Sequence, residues 1–481
     1  YSQPAALLLW VQILNFSELY ISDTYKIISE KNENLILLFP EIPYWIATTK
    51  QGEKFLRNLT GKKTLLEVSK EILGDDYEII AKEFLTPLIE SKVVRKLGEE
   101  YPNPQKIDIH RIKPNKITLL QTMRCNLRCK HCAVADNTIA NTISDELDLE
   151  KMKEALLNIS KIMGNNKELS FLGGEPLLGQ NFLSVAKFAH KNGFKLGLST
   201  NATLVNEEFA KVASELDIHV QISIDGPNKE TNDFIRGSGT WDKAISAIKL
   251  LQKYNVRLQT NMVFHKGNLH LIPDYIYLGK ELGITDLRLI PLMEMGRAKE
   301  NLEFSKLEDM VGIIIDLIKK DPSTIPYIQS TNFMGLVLNA RITNRMIGCG
   351  TGIITVILDP KGDIYPCMNN YNPKFKICNV FDKNLEEKFF NSPVRNEFAS
   401  LNINSLNETC SKCDFKYLCG GLCRGETFSI TKDIKSPHPY CEEWKKSIIK
   451  IYWLLTEYPE LGKEKVEKVL NEMTPFTFNN C

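Results

Sequence analysis

Ten of the twelve cysteines fall into two spaced groups. The first is Cys125, Cys129 and Cys132, with gaps of three and then two residues. The second is Cys349, Cys367, Cys410, Cys413, Cys419, Cys423 and Cys441, with Gly362 opening a Gly-x4-Cys element at Cys367. A fully ligated [4Fe–4S] cube takes four cysteine thiolates. Three thiolates leave one iron open to bind a small molecule and pass it an electron. The first group therefore reads as a catalytic cluster and the second as storage or relay clusters. Disulfides suit small secreted domains, whereas this chain has 481 residues and no visible secretory signal. Cys410-x2-Cys413 also has zinc-ribbon spacing. A tetrahedral zinc site takes four ligands, however, and seven cysteines fill no whole number of such sites.

The elements that must carry these thiols follow a β/α alternation. Strands are predicted at 117–121, 168–172, 194–199, 218–224, 257–263 and 286–292. Helices are predicted between them, at 149–163, 182–191, 206–215, 241–254 and 272–282. This pattern indicates a parallel sheet with helices outside. Active-site residues of such barrels collect at the C-terminal strand ends. The cysteine triplet follows the first strand, and Gly173-Gly174-Glu175-Pro176 follows the second. Residues 25–29, 35–39 and 44–48 read as strands, and 51–58, 64–73 and 78–91 as helices. Thr64-Leu-Leu-Glu67 has the form of a capping box. Three strands and three helices outline a winged helix. Pro102, Pro104 and Pro114 mark a linker. Residues 349–441 are Cys- and Gly-rich with little periodicity, and 444–455 reads as a terminal amphipathic helix.

At this length two or three domains are expected. A net charge of +1 supplies no bulk field for nucleic acid. The apolar run 5–14 is too short to span a bilayer and lacks a basic start and a cleavage site. A cytoplasmic location is expected from the number of thiols, and no membrane span and no nucleic-acid partner are expected.

The cysteine triplet, Gly173–Pro176, Ser199-Thr200-Asn201 and Ser223-Ile224-Asp225-Gly226 together resemble the radical S-adenosylmethionine (radical SAM) superfamily. The seven-cysteine pattern resembles its SPASM subgroup. The resemblance runs from about Lys116 to Cys441. It implies an α/β fold: a partial, TIM-like (β/α)6 barrel with an N-terminal winged-helix-like domain and a C-terminal SPASM iron–sulfur domain. The divisions expected are a peptide-recognition domain at 20–98, a linker at 99–115 and the barrel at 116–320. A bridging region at 321–348, the SPASM domain at 349–445 and a helix and tail at 446–481 follow.

The implied cofactors are three [4Fe–4S] clusters, one SAM-binding and two auxiliary, together with SAM itself. Cys125, Cys129 and Cys132 would hold the first cluster. Cys349, Cys367 and Cys423 would serve the nearer auxiliary cluster, and Cys410, Cys413, Cys419 and Cys441 the farther one. Cys378 is a rival fourth ligand of the nearer cluster, and otherwise a small buried thiol. Gly173, Gly174, Glu175 and Pro176 would take the amino end of SAM, the two glycines allowing close backbone approach. Asn201 and Ser223 would bond its ribose or carboxylate, and the fork of Arg236 its carboxylate. His131 stands where the family has an aromatic residue near adenine. Gly296-Arg297-Ala298 recurs in such enzymes without an assigned role, and Glu294 reads as an exposed loop carboxylate. Met368 occupies the position of the catalytic Asp in sulfatase-maturing relatives, which weakens that reading.

The activity implied is reductive cleavage of SAM to methionine and a 5′-deoxyadenosyl radical, which takes hydrogen from a C–H bond. An open iron on the nearer auxiliary cluster favours a sactipeptide- or ranthipeptide-type thioether in a ribosomal peptide. The partners would be a precursor peptide with its leader, and a ferredoxin or flavodoxin as electron donor. Alternatives are peptide epimerisation, carbon–carbon crosslinking, maturation of a tetrapyrrole-type small molecule, and a non-catalytic iron–sulfur protein.

Overall fold

The computed structural model describes residues 14–100, 108–134, 145–328, 333, 336–337, 348, 350–459 and 461. Cys349, Cys481, most of the apolar run 5–14, most of 321–348 and most of the tail lie outside the described residues.

The chain begins with a small α/β unit. Its elements are β1 (Leu19–Ser22), β2 (Lys26–Lys31), β3 (Asn34–Phe39), β4 (Tyr44–Thr49), α1 (Lys50–Asn58), β5 (Thr60–Thr64), α2 (Leu65–Leu73), α3 (Tyr77–Glu90) and β6 (Val94–Lys96). Strands β2, β3 and β4 pair antiparallel in that order, and β5, β1 and β6 form a second sheet. The three strands and three helices predicted from pattern are present. β1, β5 and β6 were not predicted, because two are very short and the third, Thr-Gly-Lys-Lys-Thr, is polar. The capping box at Thr64 and Glu67 forms as its residues require.

Strand alternation explains how this unit docks. Leu35, Leu37 and Phe39 of β3 face its own apolar core, while Ile36 and Leu38 enter the main core of the molecule.

The body contains β7 (Lys116–Thr122), α4 (Leu149–Ile162), β8 (Glu168–Gly173), α5 (Phe182–Lys191), β9 (Lys195–Thr200), α6 (Glu207–Glu215) and β10 (His219–Ser223). Next come α7 (Lys229–Arg236), α8 (Thr240–Lys253), β11 (Leu258–Phe264), α9 (Ile272–Leu282), β12 (Leu287–Pro291), α10 (Ala298–Asn301) and α11 (Leu307–Lys320). The strands lie in the order β12-β11-β10-β9-β8-β7, all parallel, and β12 does not close onto β7. This is an open, partial barrel. Helix α4 shows why the outer layer forms. Met152, Ala155, Leu156, Ile159 and Ile162 recur on one face and are all buried, and Asp148 caps the start through Lys151 N at 2.8 Å.

The outer edge of β7 is not left bare. Strand β13 (Thr355–Leu358) adds parallel to it, and β14 (Asp363–Tyr365) and β15 (Cys378–Asn379) continue antiparallel, giving a nine-stranded sheet. Strands of two to four residues are too short to show a period in sequence, so this continuation was not predicted. Helix α12 (Arg424–Thr431) and helix α13 (Cys441–Glu457) complete the body. Helix α11 has no side-chain cap of its own, and Glu443 of α13 supplies one by accepting from Leu307 N. Helix α13 is also the seat of the N-terminal unit. Trp45 stacks on Tyr452 at 4.2 Å, and Trp453 Nε1 donates to Ser29 Oγ at 3.0 Å. Among the described residues no helix is long and apolar enough to cross a membrane.

Leu38→Ala should destabilise the chain by about 2–5 kcal/mol, as expected for a large-to-small change at a fully buried site. Chemical denaturation followed by tryptophan fluorescence measures it.

Candidate functional site

Cys125, Cys129 and Cys132 lie on an irregular loop that leaves the C-terminal end of β7. Such a loop makes few hydrogen bonds of its own, so its backbone must be met from outside. Six neighbouring residues meet it. Arg124 is ion-paired to the buried carboxylate of Glu146 at 2.7 Å, and its Nη2 donates to Leu178 O at 2.8 Å. Glu175 N donates to Arg124 O at 2.8 Å, extending the β8 edge along the loop. Asn201 Nδ2 donates to Asn126 Oδ1 at 2.9 Å and lies 3.9 Å from Cys125 Sγ. Lys130 N donates to Ile235 O at 2.9 Å. Arg297 donates twice, through Nε to Cys129 O at 3.0 Å and through N to Cys132 O at 3.1 Å.

Two glycine positions make this enclosure possible. At Gly173 φ is +128°, and a Cβ on Gly173 or Gly174 would overlap the carbonyl of Thr122 or Arg124. These glycines therefore admit the backbone of the cysteine loop itself, a use their sequence does not announce. At Gly296 φ is +55°, and a Cβ would overlap Cys132 O. The segment Gly296-Arg297-Ala298, which sequence left without a role, is a clamp on two carbonyls of the loop.

The side chains expected to meet SAM sit around the same end of the sheet. Glu175 is buried and already accepts from Thr200 Oγ1 at 2.7 Å, Asn201 N at 2.8 Å and Leu177 N at 3.2 Å. Burial raises its pKa against these three donors. Its carboxylate thus ties the end of β8 to the end of β9. Ser223 ends β10. His131 and Arg236 converge on one residue that sequence did not single out, Asp225. Asp225 Oδ2 is 2.6 Å from His131 Nε2 and 2.6 Å from Arg236 Nε. Val263 N donates to its other oxygen at 2.8 Å. Burial would raise the Asp225 pKa, but the Arg236 charge, His131 and the Val263 N–H outweigh it and hold the carboxyl well below the usual range. Asp225 was present in the Ser-Ile-Asp-Gly motif, but only the fold shows what it joins.

The described cysteines of the second group gather into two places. Cys410, Cys413, Cys419 and Cys441 line one small cavity, with His438 and Trp444 beside them. Burial pushes the Cys419 thiol up to about 11, and Cys413 and Cys410 act on it too. Cys367 and Cys423 form the other place, close enough that Cys367 acts on the Cys423 thiol, with Asn370 Nδ2 3.2 Å from Cys367 Sγ and Asn369 Nδ2 3.4 Å from Cys423 Sγ. Cys378 pairs across from Ile364 and is buried in the main apolar core, where burial pushes its thiol up to about 12.

A larger cavity of about 370 Å3 opens beyond β12 and reaches Cys423. Leu292, Phe304 and Leu307 form apolar walls, and Glu426, His438 and Tyr440 supply polar groups. Glu294 was expected as an exposed carboxylate. It is half-buried and accepts from the Tyr440 hydroxyl, because the end of β12 packs against the start of α13.

Thiols are the donors that iron–sulfur clusters take, and four of them around one cavity fit a fully ligated cube. Among the described residues no three His, Cys, Asp or Glu side chains converge tightly enough to hold a single metal ion. The triplet and the Arg236 guanidinium, whose Nη2 lies 3.4 Å from His131 Nε2, likewise fit a cluster with an open iron and an aminocarboxylate ligand.

Comparison with known proteins agrees with this chemistry. Residues 120–270 match the radical SAM superfamily, and residues 349–414 match SPASM, an iron–sulfur cluster-binding domain. The AdoMet-dependent heme synthase of Methanosarcina barkeri is 26% identical over 68% of this chain and 96% of its own length. The mycofactocin maturase MftC of Mycolicibacterium smegmatis is 25% identical over 69% of this chain and 83% of its own. The cysteine-type anaerobic sulfatase-maturating enzyme of Clostridium perfringens is 28% identical over 67% and 92%. Among solved structures, anSMEcpe with bound AdoMet superposes with a TM-score of 0.60 at 21% identity, covering 75% of this chain and all of that one. SuiB of Streptococcus suis bound to its precursor peptide SuiA gives 0.54 at 17% identity, covering 88% and 97%. The chain is an enzyme with a radical SAM domain and a SPASM iron–sulfur domain.

Gly296→Ala should displace the cysteine loop. The expected result is about four fewer irons per chain after anaerobic reconstitution, the content of one cube, with an unchanged far-ultraviolet circular dichroism spectrum.

Proposed function

We propose that this radical SAM enzyme joins a cysteine sulfur to a carbon within a ribosomally made precursor peptide. The observation that carries this reading is the large cavity beyond β12 with Cys423 in its wall. In this reading Cys349, Cys367 and Cys423 give the nearer auxiliary cluster three ligands and leave one iron open to that cavity. The burial of Cys378 in the apolar core, opposite Ile364, supports leaving it out of the set. A substrate thiolate entering the cavity would then have an iron to bind.

Cys125, Cys129 and Cys132 hold the SAM-binding cluster in this reading, and Cys410, Cys413, Cys419 and Cys441 the farther auxiliary one. The Gly173–Pro176 segment, Asn201, Ser223, Arg236 and His131 surround SAM. The bound cluster and SAM supply the radical that removes hydrogen from carbon. Carbon gives up one hydrogen atom and sulfur one proton. Closing the carbon–sulfur bond releases one electron, equal to the one consumed in cleaving SAM.

The unit at 20–98 takes the leader of the precursor, as an added strand on an edge of the β2-β3-β4 sheet. Both β2 and β4 are edges of that sheet. A ferredoxin or flavodoxin supplies electrons, and the oxygen sensitivity of an open cluster suits the cytoplasm. The divisions at 98, 115, 320, 348 and 445 remain those proposed from sequence.

Anaerobically reconstituted enzyme, SAM, reductant and the precursor peptide encoded beside it test this reading. The expected product is lighter by about two hydrogens per crosslink, from the stoichiometry of the step, and its cysteine no longer reacts with an alkylating reagent. A product of unchanged mass would mean epimerisation. A lighter product with its thiols intact would mean a carbon–carbon crosslink.

A further inference from the structure

His265 follows β11 at the C-terminal face of the sheet. Strand alternation gives the side on which it lies. Met262 and Phe264 of β11 are buried in the core beneath the helices, and Thr260 bonds the Tyr275 hydroxyl of α9. Gln259, Asn261, Val263 and then His265 therefore fall on the barrel interior. On β10 the same alternation sends Val220 and Ile222 outward and Gln221 and Ser223 inward. Gln221 Nε2 donating to Asn261 Oδ1 at 3.0 Å joins the two inward faces.

The ring of His265 is fixed in place and in tautomer. It is 4% exposed. Its Nδ1 accepts from Gly267 N at 3.1 Å, so the ring proton is on Nε2. Gly267 leaves room for this seat, since a Cβ there would come 2.9 Å from His265 Cε1. Asn268 locks the turn: it accepts from His265 N at 2.7 Å and donates to Val263 O at 3.0 Å and Asp225 O at 3.2 Å. Burial lowers the pKa of the ring, with Asp225 raising it and His131 lowering it in turn. His265 thus stands beside the His131–Asp225–Arg236 cluster as a neutral donor.

Among the described residues its Nε2 has no hydrogen-bond partner. Leaving a buried donor unmet costs more than one ordinary hydrogen bond gains. A rigid, buried and unmet N–H on the inner face of a barrel is suited to a ligand that brings the acceptor. The geometry points to an acceptor on the adenosine part of SAM as the partner of His265 Nε2–H, an assignment that rests on the SAM site proposed above. The cysteine loop and the ends of β8 and β9 take the amino end, which must lie at the open iron. β10 and β11 lie farther across the sheet from the strand that launches the triplet, and in this assignment the adenosine extends to them.

Two variants separate the donor from the seat. His265→Asn retains an acceptor for Gly267 N and lacks the distal N–H. His265→Gln reaches the distal position with an N–H and gives up the near acceptor. Equilibrium binding of SAM, 5′-deoxyadenosine and methionine is measured on anaerobically reconstituted enzyme of matched iron content, with the SAM-induced change in the cluster's electron paramagnetic resonance as a second readout. The Asn variant is expected to bind SAM and 5′-deoxyadenosine about three- to tenfold more weakly, the loss of one neutral hydrogen bond. Methionine binding should be unchanged, and Gln should restore most of the affinity. Wild-type affinity in the Asn variant overturns the assignment, because a buried water then meets the N–H. Equal weakening of methionine binding, or failure of Gln to restore affinity, overturns it in favour of a purely structural ring. If wild type binds no SAM at all, the proposed SAM site is what fails.

Discussion

Three thiols must be held at fixed positions on a loop that has no regular backbone pairing, and the rest of the structure is arranged around that demand. A cluster with an open iron is only as well placed as its ligands. The ends of β8 and β9, helix α7 and the segment after β12 each donate to or accept from the loop at 2.8–3.1 Å. The carboxylates of Glu175 and Asp225, which are buried, are met by protein donors because water does not reach them. Asp225 adds a joint between the loop, through His131, and the end of α7, through Arg236. The parallel sheet is therefore the frame that brings these residues, far apart in sequence, to one face.

The same sheet fixes where the second cysteine group lies. Strand β13 pairs in parallel with β7, the strand that launches the triplet, so the Cys367 segment is built onto the catalytic edge. Arg395 secures the entry to β7. It is fully buried between Phe389 and Phe390, and its guanidinium donates to His110 O at 2.6 Å and Ile112 O at 2.7 Å. Burial lowers its pKa to about 10, so the guanidinium stays charged and needs those carbonyls. At the other end, Glu443 of α13 caps α11, which ties the helix bearing Cys441 to the wall of the large cavity. Barrel, SPASM elements and N-terminal unit all meet along α13.

Much of this was legible in sequence where a pattern is long or chemically specific. The six barrel strands and their helices show in the alternation of apolar runs, and helices 182–191 and 272–282 fall where the spacing predicts. The cysteines were legible because few other chemistries use such spacing. What was not legible depends on contacts between distant residues. Gly173 and Gly174 look like ligand-binding glycines, and nothing in their sequence shows that they also accommodate the loop backbone. Arg297 reaches back to Cys129, and Asp225 to His131, across separations that no local window samples. Strands β13 to β15 are too short for periodicity and exist because β7 offers an edge to pair with.

The most direct measurement is iron and sulfide content with electron paramagnetic resonance, anaerobically, with and without SAM. It compares wild type with the Cys125→Ala/Cys129→Ala/Cys132→Ala variant. One catalytic and two auxiliary cubes predict about twelve irons in wild type and about eight in the variant, with a SAM-perturbed signal in wild type alone. About four irons in wild type would contradict the auxiliary clusters, by the content of a single cube. Zinc in place of iron would contradict the account as a whole.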